Sequence, residues 1–169
     1  NNVDSITGRV RSHNYNGEFA FAEGLTWGAL NSVNFSVRYA PPGSLFITPG
    51  SSGFPKAAAR SIFYYIGFLN SATANVLLSL LCGTMNIEVG DVTRIPLLPL
   101  SDEVEVLARK LIDHAKSDWD EYEASVEYEG PSYEIHSSAL IAARLNEDFA
   151  RKQLVMHEVE RLEAELEAS

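Results

Sequence analysis

The sequence predicts an α+β fold: a small mixed β-sheet domain with packed helices, followed by a long-helix tail. Three observations carry this. Residues 3–60 fall into short apolar runs cut by turn signals such as Asn16-Gly17, Pro41-Pro42-Gly43 and Pro49-Gly50, which is strand-and-loop territory. From Leu69 on, Val76, Leu77, Leu80 and Leu81 fall at helical spacing, as do Val104, Ala108, Leu111, Ala115, Trp119 and Tyr122. The charge also divides along the chain. Of the net −10, residues 1–100 sum to +1 and residues 101–169 to −11. The expected organisation is therefore an α+β domain over residues 1–99 and an acidic helical spacer or tail over 100–169. A length of 169 residues is enough for one modest domain plus such an appendage. With 46% hydrophobic and 21% charged residues, wholesale disorder is excluded. The single cysteine, Cys82, excludes a disulfide framework and a thiolate metal cluster. The chain opens without methionine, with no signal peptide visible, and reads as a segment of something longer.

Phe35, Val37 and Tyr39 alternate with Ser36 and Arg38, which predicts a strand with one apolar and one polar face. Leu45-Phe46-Ile47 reads as a second strand, and Pro41-Pro42-Gly43 as the turn that would join residues 35–39 and 45–48 into a hairpin. Residues 62–82 are the most apolar stretch and approach the length of a membrane span. Asn70, Ser71, Thr73, Asn75 and Ser79 interrupt it, which favours buried core helices. Residues 62–69 read as a short helix, with a strand as the alternative. Ser71 is placed to cap a helix from Ala72, and Gly83 to end it in a left-handed conformation. Residues 86–98 read as strand, Gly90-Asp91 turn and strand. Ser101 can cap a helix over about 101–124, with Asp102 and Glu103 in the turn where the helix dipole favours acids. After Gly130-Pro131, Ser137 or Ser138 opens a last helix to about residue 167, roughly 46 Å long at 1.5 Å per residue. Val155, Val159, Leu162 and Leu166 form a heptad-like seam on it.

Motifs for chemistry are missing. The four histidines have no partner at metal-ligand spacing, and no GxSxG, P-loop or GxGxxG is present. Gly50-Ser51-Ser52-Gly53 has the letter pattern of a KH-domain GxxG loop, but Pro49 and Pro55 stand where its helices would be. The acids between Asp113 and Glu129 lack the alternating pattern of a calcium loop. What remains is a polar surface. Asn34, Ser36 and Arg38 share one strand face, Ser51, Ser52, Lys56 and Arg60 follow one strand later, and Arg9, Arg11 and His13 alternate with Val10 and Ser12 near the start. These residue types reach base edges and phosphates. A merely solvated strand face is the alternative, with Arg38 then paired to a carboxylate such as Glu18 or Glu23.

Several blocks occur together: Thr26-Trp27, NFSVRY (34–39), GSLFITPGSSGF (43–54), GFLNSATANVLLSLL (67–81) and NIEVGDVTRIPLLPL (86–100). In this order and spacing, over roughly residues 6–116, the chain resembles the target-recognition region of the PglX-type adenine-specific DNA methyltransferases of phage-exclusion (BREX) systems. It is also similar to the recognition domains of Type IIG restriction–modification enzymes and, in the block ending IPLLPL, to Type I specificity subunits. Members often carry Gly-Lys before the Phe-Ser pair, where this chain has Val33-Asn34. The [DNS]PP[YFW] catalytic motif and the glycine-rich loop for S-adenosylmethionine are not found here. The resemblance implies that N6-methylation of adenine, and its cofactor S-adenosylmethionine, belong to a catalytic domain elsewhere in a parent enzyme, and that this chain is not itself an enzyme. It implies double-stranded DNA and that catalytic domain as partners, other defence-system proteins at the helical tail, no membrane, and a cytoplasmic setting. The DNA-binding residues expected are Asn34, Ser36, Arg38, Ser51, Ser52, Lys56, Arg60, Arg9 and Arg11, with Arg38 the first choice for base reading. The competing expectation is a protein-interaction or spacer module whose long helices assemble a larger complex.

Overall fold

The structure, a computed structural model, describes residues 3–9, 16–30, 34–46, 50–56, 59–84, 86–128 and 138–168. Three strands, β1 (Gly24–Gly28), β2 (Arg38–Ala40) and β3 (Gly50–Gly53), form an antiparallel sheet in the order β2-β1-β3. The helices are α1 (Ile62–Asn70), α2 (Ala72–Leu81), α3 (Val89–Val92), α4 (Glu103–Trp119) and α5 (Ser138–Ala168). The expected α+β class is the observed one.

β1 is the central strand because its alternation suits two environments. Leu25 and Trp27 are buried on one face, while Thr26 points to the other. Trp27 packs edge-on against Phe35 and donates its indole N–H to Ile87 O at 3.3 Å, so the polar end of the ring is satisfied inside the core. Ile62, Ile66, Phe68 and Leu69 of α1 and Ala74 and Leu78 of α2 complete that core. β3 can approach β1 closely because it is almost without side chains. A Cβ on Gly53 would stand 3.2 Å from Leu25 Cδ1. The GSSG segment is thus a paired strand, not a clamping loop.

α1 and α2 are separate helices bent by 71° at Ser71. Ser71 Oγ accepts the Ala74 N–H at 3.2 Å and donates to Phe68 O at 2.7 Å, which both caps α2 and closes α1. Among the described residues no single helix is long and apolar enough to cross a membrane, and the apolar side of the bent pair lies in the core. Gly83 is not left-handed. α2 closes at Cys82 in extended conformation, with Cys82 N–H donating to Leu78 O at 2.8 Å.

Two strand expectations are corrected. β2 pairs with β1 rather than with a following strand, and Leu45 and Phe46 lie outside the sheet, while Ile47 and Thr48 lie outside the described residues. The reason is Phe21. It takes over the chain after the Pro41-Pro42-Gly43 turn by donating to Ser44 O at 3.1 Å and accepting from Gly43 N–H at 3.0 Å. Phe46 then packs with Phe54 and not in the main core. Residues 86–98 are likewise not a hairpin. Asn86 makes one bridge to Leu30, and the chain then turns into α3, started by the Asp91 carboxylate accepting Glu88 N–H at 3.0 Å. The proline-rich run after it is fixed by Tyr64 of α1, whose hydroxyl donates to Leu98 O at 3.0 Å and accepts Leu100 N–H at 2.9 Å.

α4 begins as expected, with Ser101 Oγ accepting Glu103 N–H at 3.2 Å, but it stops at Trp119. There Asp120 draws the chain into turns by accepting Ser125 Oγ at 2.6 Å and Lys116 Nζ at 2.5 Å. α5 returns antiparallel along α4. Arg151 and Lys152 meet Glu121, His114 meets Glu158, and Glu167 reaches the Ala72 N–H at the start of α2. The heptad-like seam therefore faces α1 and α4, with Leu162 fully buried and Leu166 beside Gly67.

Candidate nucleic-acid interface

The sheet has one face against α1 and α2 and one face away from them. Antiparallel register decides which side chains share the outer face, since residues directly opposite each other point the same way. Thr26 stands opposite Arg38 on one side and opposite Ser52 on the other. Arg38, Thr26 and Ser52 therefore form one row across three strands. Its neighbours are small: Gly24 opposite Ala40, and Gly28 opposite Gly50. At the Gly24 end the face is closed by aromatic packing. Phe54 stacks on Phe19 with centroids 4.8 Å apart, meets Phe46 at 5.4 Å, and lies so close over Gly24 that a Cβ there would be 2.8 Å from the ring.

Arg38 is exposed and, among the described residues, forms no ion pair. Neither carboxylate expected for it, Glu18 or Glu23, pairs with it among the described residues. Glu23 accepts the Tyr39 hydroxyl at 2.6 Å on the neighbouring residue. That hydrogen bond, after burial of the phenol, pushes the Tyr39 hydroxyl up to about 12. Thr26 Oγ1 donates to Ser51 O at 2.9 Å, which fixes its rotamer and leaves the hydroxyl oxygen to accept from the open side.

Asn34 and Ser36 continue the exposed strip from Arg38, with Phe35 and Val37 buried between them. Residues 34–37 alternate between exposed and buried yet belong to no strand. Their ladder partners are two side-chain amides. Asn70 Oδ1 accepts Val37 N–H at 2.9 Å and Asn70 Nδ2 donates to Val37 O at 3.0 Å. Asn75 does the same for Phe35, at 2.7 and 3.2 Å. Neither asparagine was among the expected site residues. The signal in the sequence was present: two amides inside an otherwise apolar run need partners, and an alternating segment without a neighbour strand needs them too.

The other expected residues divide. Ser51 lies opposite Trp27, on the core-facing side, so it does not share a face with Ser52. Lys56 follows β3 and is exposed, with no ion pair among the described residues. Arg60 is exposed and donates to Asp102 at 2.7 Å, with its guanidinium 4.9 Å from the Tyr64 ring centre. Asp102 thus competes for Arg60 with any phosphate. Arg9 sits on a short turn closed by Asp4, whose Oδ1 accepts from Ile6 and Thr7, and Arg11 lies outside the described residues. Among the described residues no three His, Cys, Asp or Glu side chains stand close enough to hold a metal ion.

No protein-family model matches the chain. It is 42% identical over 125 residues to the adenine-specific methyltransferase PglX of Lacticaseibacillus casei (strain Zhang), an alignment covering 73% of this chain and 10% of that protein. Its homologues are adenine-specific methyltransferases. A second, BrxX of Escherichia coli O9:H4 (strain HS), is 37% identical over 114 residues, covering 67% of this chain and 9% of the relative. The chain spans about a tenth of the length of PglX and BrxX.

Proposed function

We propose that this chain is the DNA target-recognition segment of an N6-adenine DNA methyltransferase of a phage-defence system, reading a specific duplex site for a catalytic domain elsewhere in the parent. The row Arg38–Thr26–Ser52 on the open sheet face carries this reading, and the likeness to adenine-specific methyltransferases supplies the chemistry. An enzyme that modifies a base inside a duplex must take it out of the stack, and the site must be held in register meanwhile. Arg38 suits base reading, because a guanidinium takes guanine O6 and N7 together. Lys56 suits a phosphate, which positions without specifying. S-adenosylmethionine belongs with the catalytic domain. The acidic α4–α5 pair faces other protein and stays clear of phosphates, which would repel it.

A spacer or protein-interaction role is the second reading, and one observation favours it: α5 leaves Phe149, Leu154 and Met156 exposed on a long helix. The two readings separate in the full-length methyltransferase. Arg38→Ala is expected to lower methylation of the correct site relative to other sites by a factor matching about 1–3 kcal/mol, with non-specific DNA affinity little changed. Lys56→Ala is expected to weaken binding to all sequences alike and to reduce the salt slope by about 1. A lower melting temperature for Arg38→Ala with selectivity untouched would make Arg38 structural and leave the spacer reading.

A further inference from the structure

Asn70 ends α1 and Asn75 lies in the first turn of α2, so the bend at Ser71 brings both amides to the same side. Each amide uses its oxygen and both of its N–H donors. Its oxygen accepts one strand N–H. Its nitrogen donates to the carbonyl of the same strand residue and to a helix carbonyl four residues back, Ile66 O at 3.0 Å for Asn70 and Ser71 O at 3.2 Å for Asn75. The helix bond fixes which end of the amide faces which strand group, so the pair acts as a rigid two-tooth edge in place of a neighbouring strand. The teeth engage residues 35 and 37, two apart, and thereby set the parity of the segment. Phe35 and Val37 turn inward, and Asn34, Ser36 and Arg38 turn outward. A slip of one residue would invert every side chain, because strand side chains alternate with period two.

We propose that Asn70 and Asn75 are positioning residues for DNA recognition: they hold residues 34–37, the run that leads into the β1-paired Arg38, in the register that presents Asn34 and Ser36 beside Arg38 to the base edges, with Val37 the anchor next to Arg38. This rests on the recognition reading above. The amide is specifically required. Aspartate at either position keeps the acceptor but loses both donors and sets a carboxylate against two carbonyl oxygens. Alanine removes the tooth and leaves Phe35 or Val37 backbone groups to find water.

The test is a cycle in the full-length methyltransferase: wild type, Asn70→Ala, Arg38→Ala and the double variant, each read for the ratio of cognate to non-cognate methylation, for affinity to non-cognate DNA, and for melting temperature. A positioning role predicts that Asn70→Ala lowers the cognate ratio by about tenfold, the scale of losing one good base contact, with non-cognate affinity retained. In the Arg38→Ala background it should lower the ratio no further, because the contact it serves is already gone. An equal loss in both backgrounds, or a fall in melting temperature alone, would overturn the proposal. If Arg38→Ala itself leaves the ratio unchanged, the recognition reading fails first and this proposal with it. Asn75→Ala gives the same comparison at Phe35 if Asn70→Ala does not fold. Amide hydrogen exchange at Val37 and Phe35 then reports directly whether each tooth was holding its residue.

Discussion

At the residue scale, Tyr39 shows how one side chain can settle the electrostatics of its neighbour. Its hydroxyl takes Glu23, its ring stacks on Phe63 at 5.4 Å, and Phe63 in turn lies under the Arg109 guanidinium at 3.5 Å. Glu23, the acid next to β1, accepts a phenol, and Arg38 forms no ion pair among the described residues. Burial and the Glu23 bond raise the Tyr39 hydroxyl to about 12, above the value near 10 of an unfolded tyrosine. The neutral phenol therefore contributes stability that is fully present below about pH 10 and is lost as the pH rises through the folded value. A phenolate absorbance titration, differenced against Tyr39→Phe, is expected to find this late-titrating group, and Glu23→Gln to bring it down. A Tyr39 that ionises near 10 in the folded protein would contradict the hydrogen bond. The alternation of Phe35–Tyr39 made the exposure of Asn34, Ser36 and Arg38 legible in the sequence. Which partner Glu23 would choose was not legible, since that depends on β2 pairing with β1 across sixteen residues.

At the scale of elements, local signals worked where the decisive contact was local. Ser71 capping α2 and Ser101 opening α4 are single-turn chemistry and were readable. For residues 86–98 the sequence misleads, because a short apolar alternation with a Gly-Asp turn fits a hairpin equally well. The Asp91–Glu88 bond and the grip of Tyr64 on Leu98 and Leu100 come from side chains that periodicity does not weigh. The packing of the tail helices turns on Gly67 of α1, where a Cβ would stand 2.5 Å from Val104 Cγ1 and 3.4 Å from Leu166 Cδ1. Gly67→Ala is expected to destabilise by about 1–3 kcal/mol in a denaturant titration, as overpacking does, against any helix-propensity gain. An unchanged or raised midpoint would show that α4 and α5 do not pack there. At the far end of the hairpin, Glu121 accepts Lys152 at 2.8 Å and Arg151 at 2.6 Å, and these bonds hold its carboxyl below the usual range. A lowered carboxyl stabilises above its unfolded value, near pH 4.3, and the contribution is lost as the pH falls through the folded value. Acid titration followed by amide exchange of residues 145–152 should show the clasp loosening below about pH 4 in wild type. Glu121→Gln should be loose already at neutral pH, and equal protection in both proteins would show that the clasp does not hold.

At the scale of the whole molecule, the separation of charge matches the separation of faces. The front half, near neutral, carries the outer sheet face with Arg38 and the exposed Lys56 beyond β3, while the acidic hairpin packs against α1. A duplex approaching the sheet meets small residues and Arg38, which has no ion pair among the described residues, and one approaching the hairpin meets carboxylates. On the proposed recognition role, this segment decides which sequence a methyltransferase modifies. That role is tested most directly by exchanging the segment between two such enzymes of different specificity and sequencing the methylated adenines in cells carrying each chimera. The methylated sequence is expected to travel with the segment. A methylated sequence that stays with the remainder of the enzyme would contradict it.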